Sequence, residues 1–312
     1  MALAHDKSLD ALLSRVPVTP FSVTVVIPTL NESQAIGSVI DELRQEKFHI
    51  ILVVDGHSND GTTEIAKAKG VTVLQQHGSG KAGALDTAAN YVTTPYMLVL
   101  DGDGTYPAAD AKRLLAHGAE FDEVIGARLR GRENIPCTNR FGNRLISWIF
   151  RLLFNVPITD VLSGMYLLRT EKLREMGISS ASFDVEIEIA SNMAATGAIT
   201  QVPIGYRSRM GKEKLNTGSG PRILSTLVWM AYYNNPLLLF GVLVALCGIP
   251  GIVILAYTGY ATLALHVWDS SFAIIGVALI LVAMQGAAVS LLALLTKRSE
   301  HRILREIRRI AR

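Results

Sequence analysis

The chain has 312 residues, enough for one or two domains. Apolar residues make up 49% and charged residues 18%, more apolar than a wholly soluble protein needs, and the excess is concentrated between Leu237 and Leu295. A net charge of +3 gives no reason to expect nucleic acid, and two cysteines, Cys137 and Cys247, argue against a disulfide framework and fit a reduced compartment.

Residues 1–21 read as a helical lead-in, and no basic region followed by an apolar run suggests a cleaved signal peptide. From residue 22 to about 210, strand and helix patterns alternate. Short runs rich in β-branched residues at Val23–Ile27, Ile50–Val54, Val71–Leu74 and Met97–Leu100 are each followed by turn residues and then a helical period. That alternation predicts an α/β fold with a mostly parallel sheet flanked by helices on both faces. Ligands of such sheets bind outside the carboxyl ends of the strands. The segments of interest are therefore Pro28-Thr29-Leu30-Asn31-Glu32, Asp55-Gly56, Gly78-Ser79-Gly80-Lys81 and Asp101-Gly102-Asp103-Gly104.

Asp55, Asp101 and Asp103 all follow strand runs. One strand-end Asp is commonly a cap or a turn former. Three at one sheet edge offer hard oxygen ligands to Mg²⁺ or Mn²⁺, which takes one or two protein carboxylates and completes its shell with water and phosphate. The Gly78-Ser79-Gly80-Lys81-Ala82-Gly83 loop matches G-x-G-x-x-G, follows a strand and opens a helix, so a dinucleotide-binding (NAD or FAD) membrane enzyme is the alternative. Against it, the loop follows the third strand rather than the first, Lys81 supplies a cation suited to a diphosphate, and Asp101 is followed by Gly102-Asp103, which a ribose contact does not need.

Further along, Arg140, Arg144 and Arg151 recur on the otherwise apolar stretch Arg140–Phe154, which reads as an interfacial amphipathic helix, basic towards headgroups and apolar towards lipid tails. Residues 220–234 are expected to form a similar juxtamembrane helix. A transmembrane hairpin follows over residues 235–296, with spans at about Leu237–Tyr257 and Phe272–Leu295; neither span contains Lys, Arg, Asp or Glu. The connecting loop Thr258–Ser271 has no Lys or Arg. The flanks carry Arg207, Arg209, Lys212, Lys214 and Arg222 on one side and a basic tail, residues 297–312, on the other. That bias predicts an integral membrane protein with two transmembrane helices and with the catalytic domain and both termini cytoplasmic. In the tail, Ile303, Leu304, Ile307 and Ile310 recur at helical spacing among arginines, which suits an anionic membrane surface.

The blocks Val25–Glu32, Val53–Thr62, Gly80–Ala84 and Leu100–Pro107 resemble the four motifs of family-2 glycosyltransferases. Asp160–Met165 and the stretch from Val202 through Arg209 to Leu215 are similar to the dolichol-phosphate mannose synthase group within that family, and the resemblance covers roughly residues 22–220. It implies a GT-A type catalytic domain over 22–219. It also implies inverting transfer of a hexose from a nucleoside diphosphate sugar to dolichyl or polyprenyl phosphate at the lipid bilayer, with Mg²⁺ or Mn²⁺. Pro28, Glu32, Asp55, Lys81, Asp101, Gly102, Arg209 and Lys214 match positions that bind the nucleotide sugar. Asp103 and Asp101 match the metal site, where Thr105 stands at a position that often carries Gln. Arg128, Arg140 and Arg209 match arginines that hold phosphate, which makes Asp101, Asp103, Arg128 and Arg140 the catalytic set. A phosphate acceptor is largely dianionic at pH 7, since its second pKa is ~6. It is already a nucleophile and needs no general base; a hydroxyl acceptor would need one, for which Asp160, Glu186 and Glu188 are candidates. The membrane helices offer a surface for a homo-oligomer.

Overall fold

In the computed structural model, which describes residues 17–178, 185–196, 198–211 and 236–310, the four apolar runs become β1 (Val23–Thr29), β2 (Ile51–Asp55), β3 (Thr72–Gln75) and β4 (Tyr96–Val99). Helices α1 (Ile36–Gln45), α2 (Thr62–Ala68) and α3 (Gly80–Tyr91) connect them. Each helix carries the chain back along the sheet, so the strands pair in parallel in the order β3-β2-β1-β4. Helices cover both faces, which is why β1 and β2 are nearly continuous apolar runs rather than alternating ones. Helix α1 buries Ile36, Val39, Ile40 and Leu43, the i, i+3, i+4, i+7 stripe of a helix packed on a sheet.

The second half adds α4 (Ala111–Leu115), β5 (Glu123–Arg130), α5 (Cys137–Phe154), β6 (Tyr166–Arg169), α6 (Thr170–Met176), α7 (Val185–Thr196) and β7 (Ile199–Gly205). The sheet is seven-stranded, β3-β2-β1-β4-β6-β5-β7. Strand β6 runs antiparallel to both β4 and β5, while β5 and β7 are parallel. The expected mostly parallel sheet with flanking helices is therefore present, with one reversed strand inserted beyond β4.

Helix α5 has two apolar faces. Ile146 and Phe150 are buried against the domain, whereas Phe141, Trp148 and Leu152 are 73%, 52% and 53% exposed. The exposed three recur at intervals of seven and four residues and so share one face, with Arg144 and Arg151 also exposed. Core packing accounts for one side of the helix and leaves the other as an amphipathic surface.

Residues 17–211 belong to one compact unit and residues 236–310 to a second. The second comprises α8 (Pro236–Ala264) and α9 (Ser270–Ile310). Their segments Phe240–Ala264 and Ser270–Ala293 are long and apolar enough to cross a membrane. The first helix runs past the expected Tyr257, and the Thr258 and Thr262 hydroxyls donate back to the carbonyls of Ile254 and Thr258. Asp269 caps α9 by accepting from the amides of Ser271 and Phe272. No Gly or Pro lies between Leu295 and Ile310, and the expected tail continues α9 as a single helix. A Cβ on Gly276 would lie 2.8 Å from the Leu255 side chain, so small residues set the close approach of the two helices. The expected juxtamembrane helix at 220–234 lies outside the described residues, as does Lys214.

Candidate active site at the carboxyl edge of the sheet

The strand register brings the acids to one edge. Thr29 pairs with Asp55 and Val26 with Val99, and Leu100 then donates its amide to the Val26 carbonyl at 3.1 Å. The chain leaving β4 is thereby laid beside the end of β1. Gly102 is pressed there so tightly that a Cβ would lie 2.8 Å from Thr29 Cγ2. Along this edge runs a cleft of about 370 Å³, and the residues lining it include Pro28, Glu32, Lys81, Asp101, Gly102, Asp103 and Arg209.

Each acid at the cleft is held by a cation. Asp103 Oδ1 accepts from the Thr105 amide at 3.1 Å and the Thr105 hydroxyl at 2.6 Å, and Oδ2 accepts from Arg209 Nη1 at 3.0 Å. Arg209 Nη2 donates to Glu32 Oε1 at 2.5 Å. The segment carrying Arg209 is fastened by its backbone, through Arg207 N to Thr105 O at 2.8 Å and Met210 N to Asp103 O at 3.1 Å. Asp101 Oδ1 accepts from Lys81 Nζ at 2.6 Å, and Lys81 also pairs with Glu186 of α7 at 2.6 Å. Burial alone would lower the Lys81 pKa, but the carboxylates of Asp101 and Glu186 outweigh it and hold the ammonium well above its ordinary range.

Gly164 fixes the other side of Asp101. A Cβ there would fall 1.9 Å from Asp101 Oδ2, with no room to relax because the Gly164 amide donates to the Tyr106 hydroxyl at 2.7 Å. Gly164→Ala is expected to turn Asp101 away from the cleft and cut transfer at least about tenfold, since misplacement of a reacting constellation by ~1 Å can cost ~10²-fold. The check is the initial transfer rate of the folded variant; an unchanged rate contradicts the placement.

Asp55 does not line the cleft. It is fully buried beneath the β1 and β2 ends, and its carboxylate accepts from the Ser58 amide at 2.8 Å, the Ser58 hydroxyl at 2.5 Å and Thr29 Oγ1 at 3.3 Å. It braces the end of β1 against the loop that carries Gly56 and Ser58. Thr105, at 1% exposed, likewise reaches the site only through Asp103.

Arg128 and Arg140 lie in a separate pocket of about 70 Å³, lined also by Arg132, Arg144 and Asp160. Arg128 forks onto Asp160, with Nε to Oδ2 at 2.8 Å and Nη2 to Oδ1 at 2.6 Å, and its guanidinium lies 5.4 Å from the Tyr206 ring centroid. The Tyr206 ring meets Tyr106 edge-on at 5.3 Å. Tyr106 contacts Gly164, and a continuous packed path thus joins the arginine pocket to Asp101. Arg140 is exposed, with Nη2 2.7 Å from Cys137 Sγ. Of the three arginines expected to hold phosphate, the structure brings Arg209 to Asp103 and groups Arg128 with Arg140 elsewhere. The Gly78–Gly83 loop opens α3, and its lysine turns towards two carboxylates.

Beneath Lys81 lies a buried polar layer that periodicity did not single out. Glu123 of β5 is 2% exposed and Tyr166 of β6 is 1% exposed. Burial, reinforced by the Glu186 charge, pushes the Glu123 carboxyl from 4.5 up to about 8. A raised folded pKa means that the folded chain binds more protons than the unfolded one between those values. The stability from protonated Glu123 is thus fully present below about 4.5 and is lost as pH rises through about 8. Glu123→Gln is expected to remove this decline, so that its melting temperature falls less than that of the wild type between pH 6 and 9. Parallel curves would contradict it.

The family model described as Glycosyl transferase family 2 matches residues 24–175. Glycosyltransferase AglJ of Haloferax volcanii is 35% identical over 275 residues, covering 86% of this chain and 91% of that protein. The dolichyl-phosphate hexose transferase of the same organism is 33% identical over 204 residues, covering 64% of this chain and 88% of that protein. Among solved structures, glucosyl-3-phosphoglycerate synthase from Mycobacterium tuberculosis in complex with Mn²⁺, UDP and glucosyl-3-phosphoglycerate superposes with a TM-score of 0.53 at 21% identity, covering 74% of this chain and 85% of that one. That likeness carries the fold, a GT-A-like mixed sheet. With acids, cleft and family match in one stretch of chain, the protein belongs to glycosyl transferase family 2 and is a glycosyltransferase.

Proposed function

We propose that this enzyme moves a hexose, with inversion, from a nucleoside diphosphate sugar to the phosphate of a dolichyl or polyprenyl lipid on the cytoplasmic side of a bilayer. The observation that carries the reading is the pairing of an acid-bearing cleft with an arginine-lined pocket, joined through Tyr106 and Tyr206. The kinship to a dolichyl-phosphate hexose transferase supports it. So does the commitment of the nearby acids. Of the three candidate bases, Asp160 is taken up by Arg128 and Glu186 by Lys81, while Glu188 is buried and lines neither the cleft nor the arginine pocket.

A divalent cation fits the cleft. Asp101 and Asp103 both line it, so two hard carboxylate donors face one cavity, and the side-chain cations that now neutralise them would yield to a metal. Two carboxylates at one cleft suit Mg²⁺ or Mn²⁺, which takes one or two protein carboxylates and completes its shell with phosphate and water. Asp103, with Asp101 beside it, would hold the ion, and Thr105 would act only by fixing Asp103 Oδ1. When bound, it supplies Lewis-acid stabilisation of the departing diphosphate. Pro28, Glu32 and Gly102 line the nucleotide side of the cleft, while Lys81 and Arg209 furnish cations for the diphosphate. Arg140 and Arg144, with Arg132 beside them, hold the acceptor phosphate, and Arg128, forked onto Asp160, forms the wall of their pocket. One of its oxygens attacks the anomeric carbon, the bond to the diphosphate breaks, and this single displacement inverts the centre. The exposed apolar face of α5, carrying Phe141, Trp148 and Leu152 among arginines, suits a lipid surface beside the pocket that would receive the lipid's phosphate.

Arg140→Ala tests the acceptor subsite. Losing one charge-assisted contact costs about 1.5–3 kcal/mol, roughly ten- to a hundred-fold in kcat/KM for dolichyl phosphate. Donor binding measured calorimetrically with metal should be nearly unchanged. Arg140→Lys should recover only part, since an ammonium lacks the fork. An Arg140→Ala enzyme with an unaltered kcat/KM for dolichyl phosphate contradicts the assignment.

A further inference from the structure

Arg209 holds the one oxygen of Asp103 that is not fastened by its own loop. Oδ1 accepts from both the amide and the hydroxyl of Thr105, whereas Oδ2 accepts from Arg209 Nη1 at 3.0 Å. A divalent ion taking Oδ2 cannot share it with a guanidinium, because the two cations repel and compete for one lone-pair region. The loop carrying Arg209 is pinned to Thr105 and Asp103 through its backbone, so the side chain is the part free to yield. Its second arm rests on Glu32, a residue of the same cleft, which keeps the guanidinium near when the first arm lets go. Arg209 Nε is buried and has no hydrogen-bond acceptor among the described residues, which leaves a donor for a ligand oxygen.

We propose that Arg209 is an internal counter-ion for Asp103 that competes with the metal and passes to the donor diphosphate as the metal binds. The inference rests on the metal-dependent reading above and specifies how its two ligands are coupled. Metal alone must break the Arg209–Asp103 pair with nothing offered in return. Metal arriving with a nucleoside diphosphate gives the released guanidinium phosphate oxygens, for which its planar fork is suited. The two ligands therefore bind with positive coupling, and by linkage each tightens the other by the same factor.

The test is Mn²⁺ binding to the full-length detergent-solubilised protein, read from the electron paramagnetic resonance signal of free Mn²⁺, with and without UDP or GDP and with the Mn²⁺ bound by nucleotide alone subtracted from protein-free controls. In the wild type, nucleotide should tighten Mn²⁺ binding by roughly five- to a hundred-fold, the usual range of a coupling between sites. Arg209→Gln should bind Mn²⁺ alone more tightly than the wild type and show a smaller coupling, keeping only the share that comes from the metal's own contact with the diphosphate. Arg209→Lys keeps the charge but cannot span Glu32 and Asp103 together, so its Mn²⁺-alone affinity should lie between the two; it also serves as the readout should the Gln variant fold poorly. The proposal is overturned if neither variant binds Mn²⁺ alone more tightly, or if the coupling is undiminished in both. Asp103→Asn separates the two levels. Loss of Mn²⁺ binding there supports the metal site on which the proposal stands, and unchanged Mn²⁺ affinity overturns that site and the competition together.

Discussion

Asp103→Asn is expected to lower sugar transfer by at least about a thousandfold while leaving the catalytic domain folded. Lewis-acid stabilisation of a leaving diphosphate is worth several kcal/mol, and each ~1.36 kcal/mol is a decade in rate. The amide keeps an oxygen to accept from Thr105 but loses the charge that a metal needs. It also loses the ion pair to Arg209, which is three-quarters buried and retains Glu32. The fold has little reason to fail, because the backbone bonds Met210 N to Asp103 O and Arg207 N to Thr105 O do not depend on the carboxylate. The measurements are the transfer rate, the melting temperature and inhibition by a chelator. Wild-type activity in the Asn variant, or full activity of the wild type in excess chelator, contradicts the assignment.

Arg128→Ala is expected to have the largest effect on stability. Both side chains of the Arg128–Asp160 pair are only 8% exposed, and Asp160 also accepts from the Arg128 amide at 2.9 Å. Removing one member of such a pair strands a buried charge and costs about 3–5 kcal/mol. Replacing both members by apolar residues of similar size, Arg128→Met with Asp160→Leu, should recover most of the melting temperature, as buried pairs replaced whole are often neutral. Arg128 therefore serves the acceptor pocket chiefly as a wall held in place by Asp160, and Arg140 and Arg144, both exposed, are the arginines free to close on a phosphate. If Arg128→Ala melts with the wild type while acceptor use collapses, Arg128 grips phosphate directly and the structural role is wrong.

The first four strands were legible because each is a short β-branched run buried on both faces and ended by turn residues. The last three were not. Strand β5 carries Glu123, Gly126 and Arg128 at buried positions, β6 has four residues, and β7 contains Pro203, so none shows a clean apolar run. The acids of the cleft were readable from their places after strands. Their partners were not: Lys81 meets Glu186 of α7, and Asp103 meets Arg209 beyond β7, across more than a hundred residues of sequence, and only the folded chain sets those distances. Asp55 shows the limit of the strand-end rule, since being last in β2 placed it correctly but did not tell that Ser58 and Thr29 would take up its carboxylate. The two apolar helices of the second unit were evident from length and composition alone. Their ends were less so, because a helix continues past its apolar stretch wherever no Gly, Pro or cap stops it.

The most direct test of lipid-phosphate transfer gives the purified full-length enzyme UDP-glucose, UDP-N-acetylglucosamine and GDP-mannose in parallel, with Mn²⁺ and either dolichyl phosphate or unphosphorylated dolichol, and measures sugar recovered in the lipid fraction. At least one donor should yield a dolichyl-phosphate-linked sugar, and none should label dolichol. Equal labelling of dolichol would contradict attack by phosphate, and no lipid-linked product from any of the three donors would contradict the proposed acceptor.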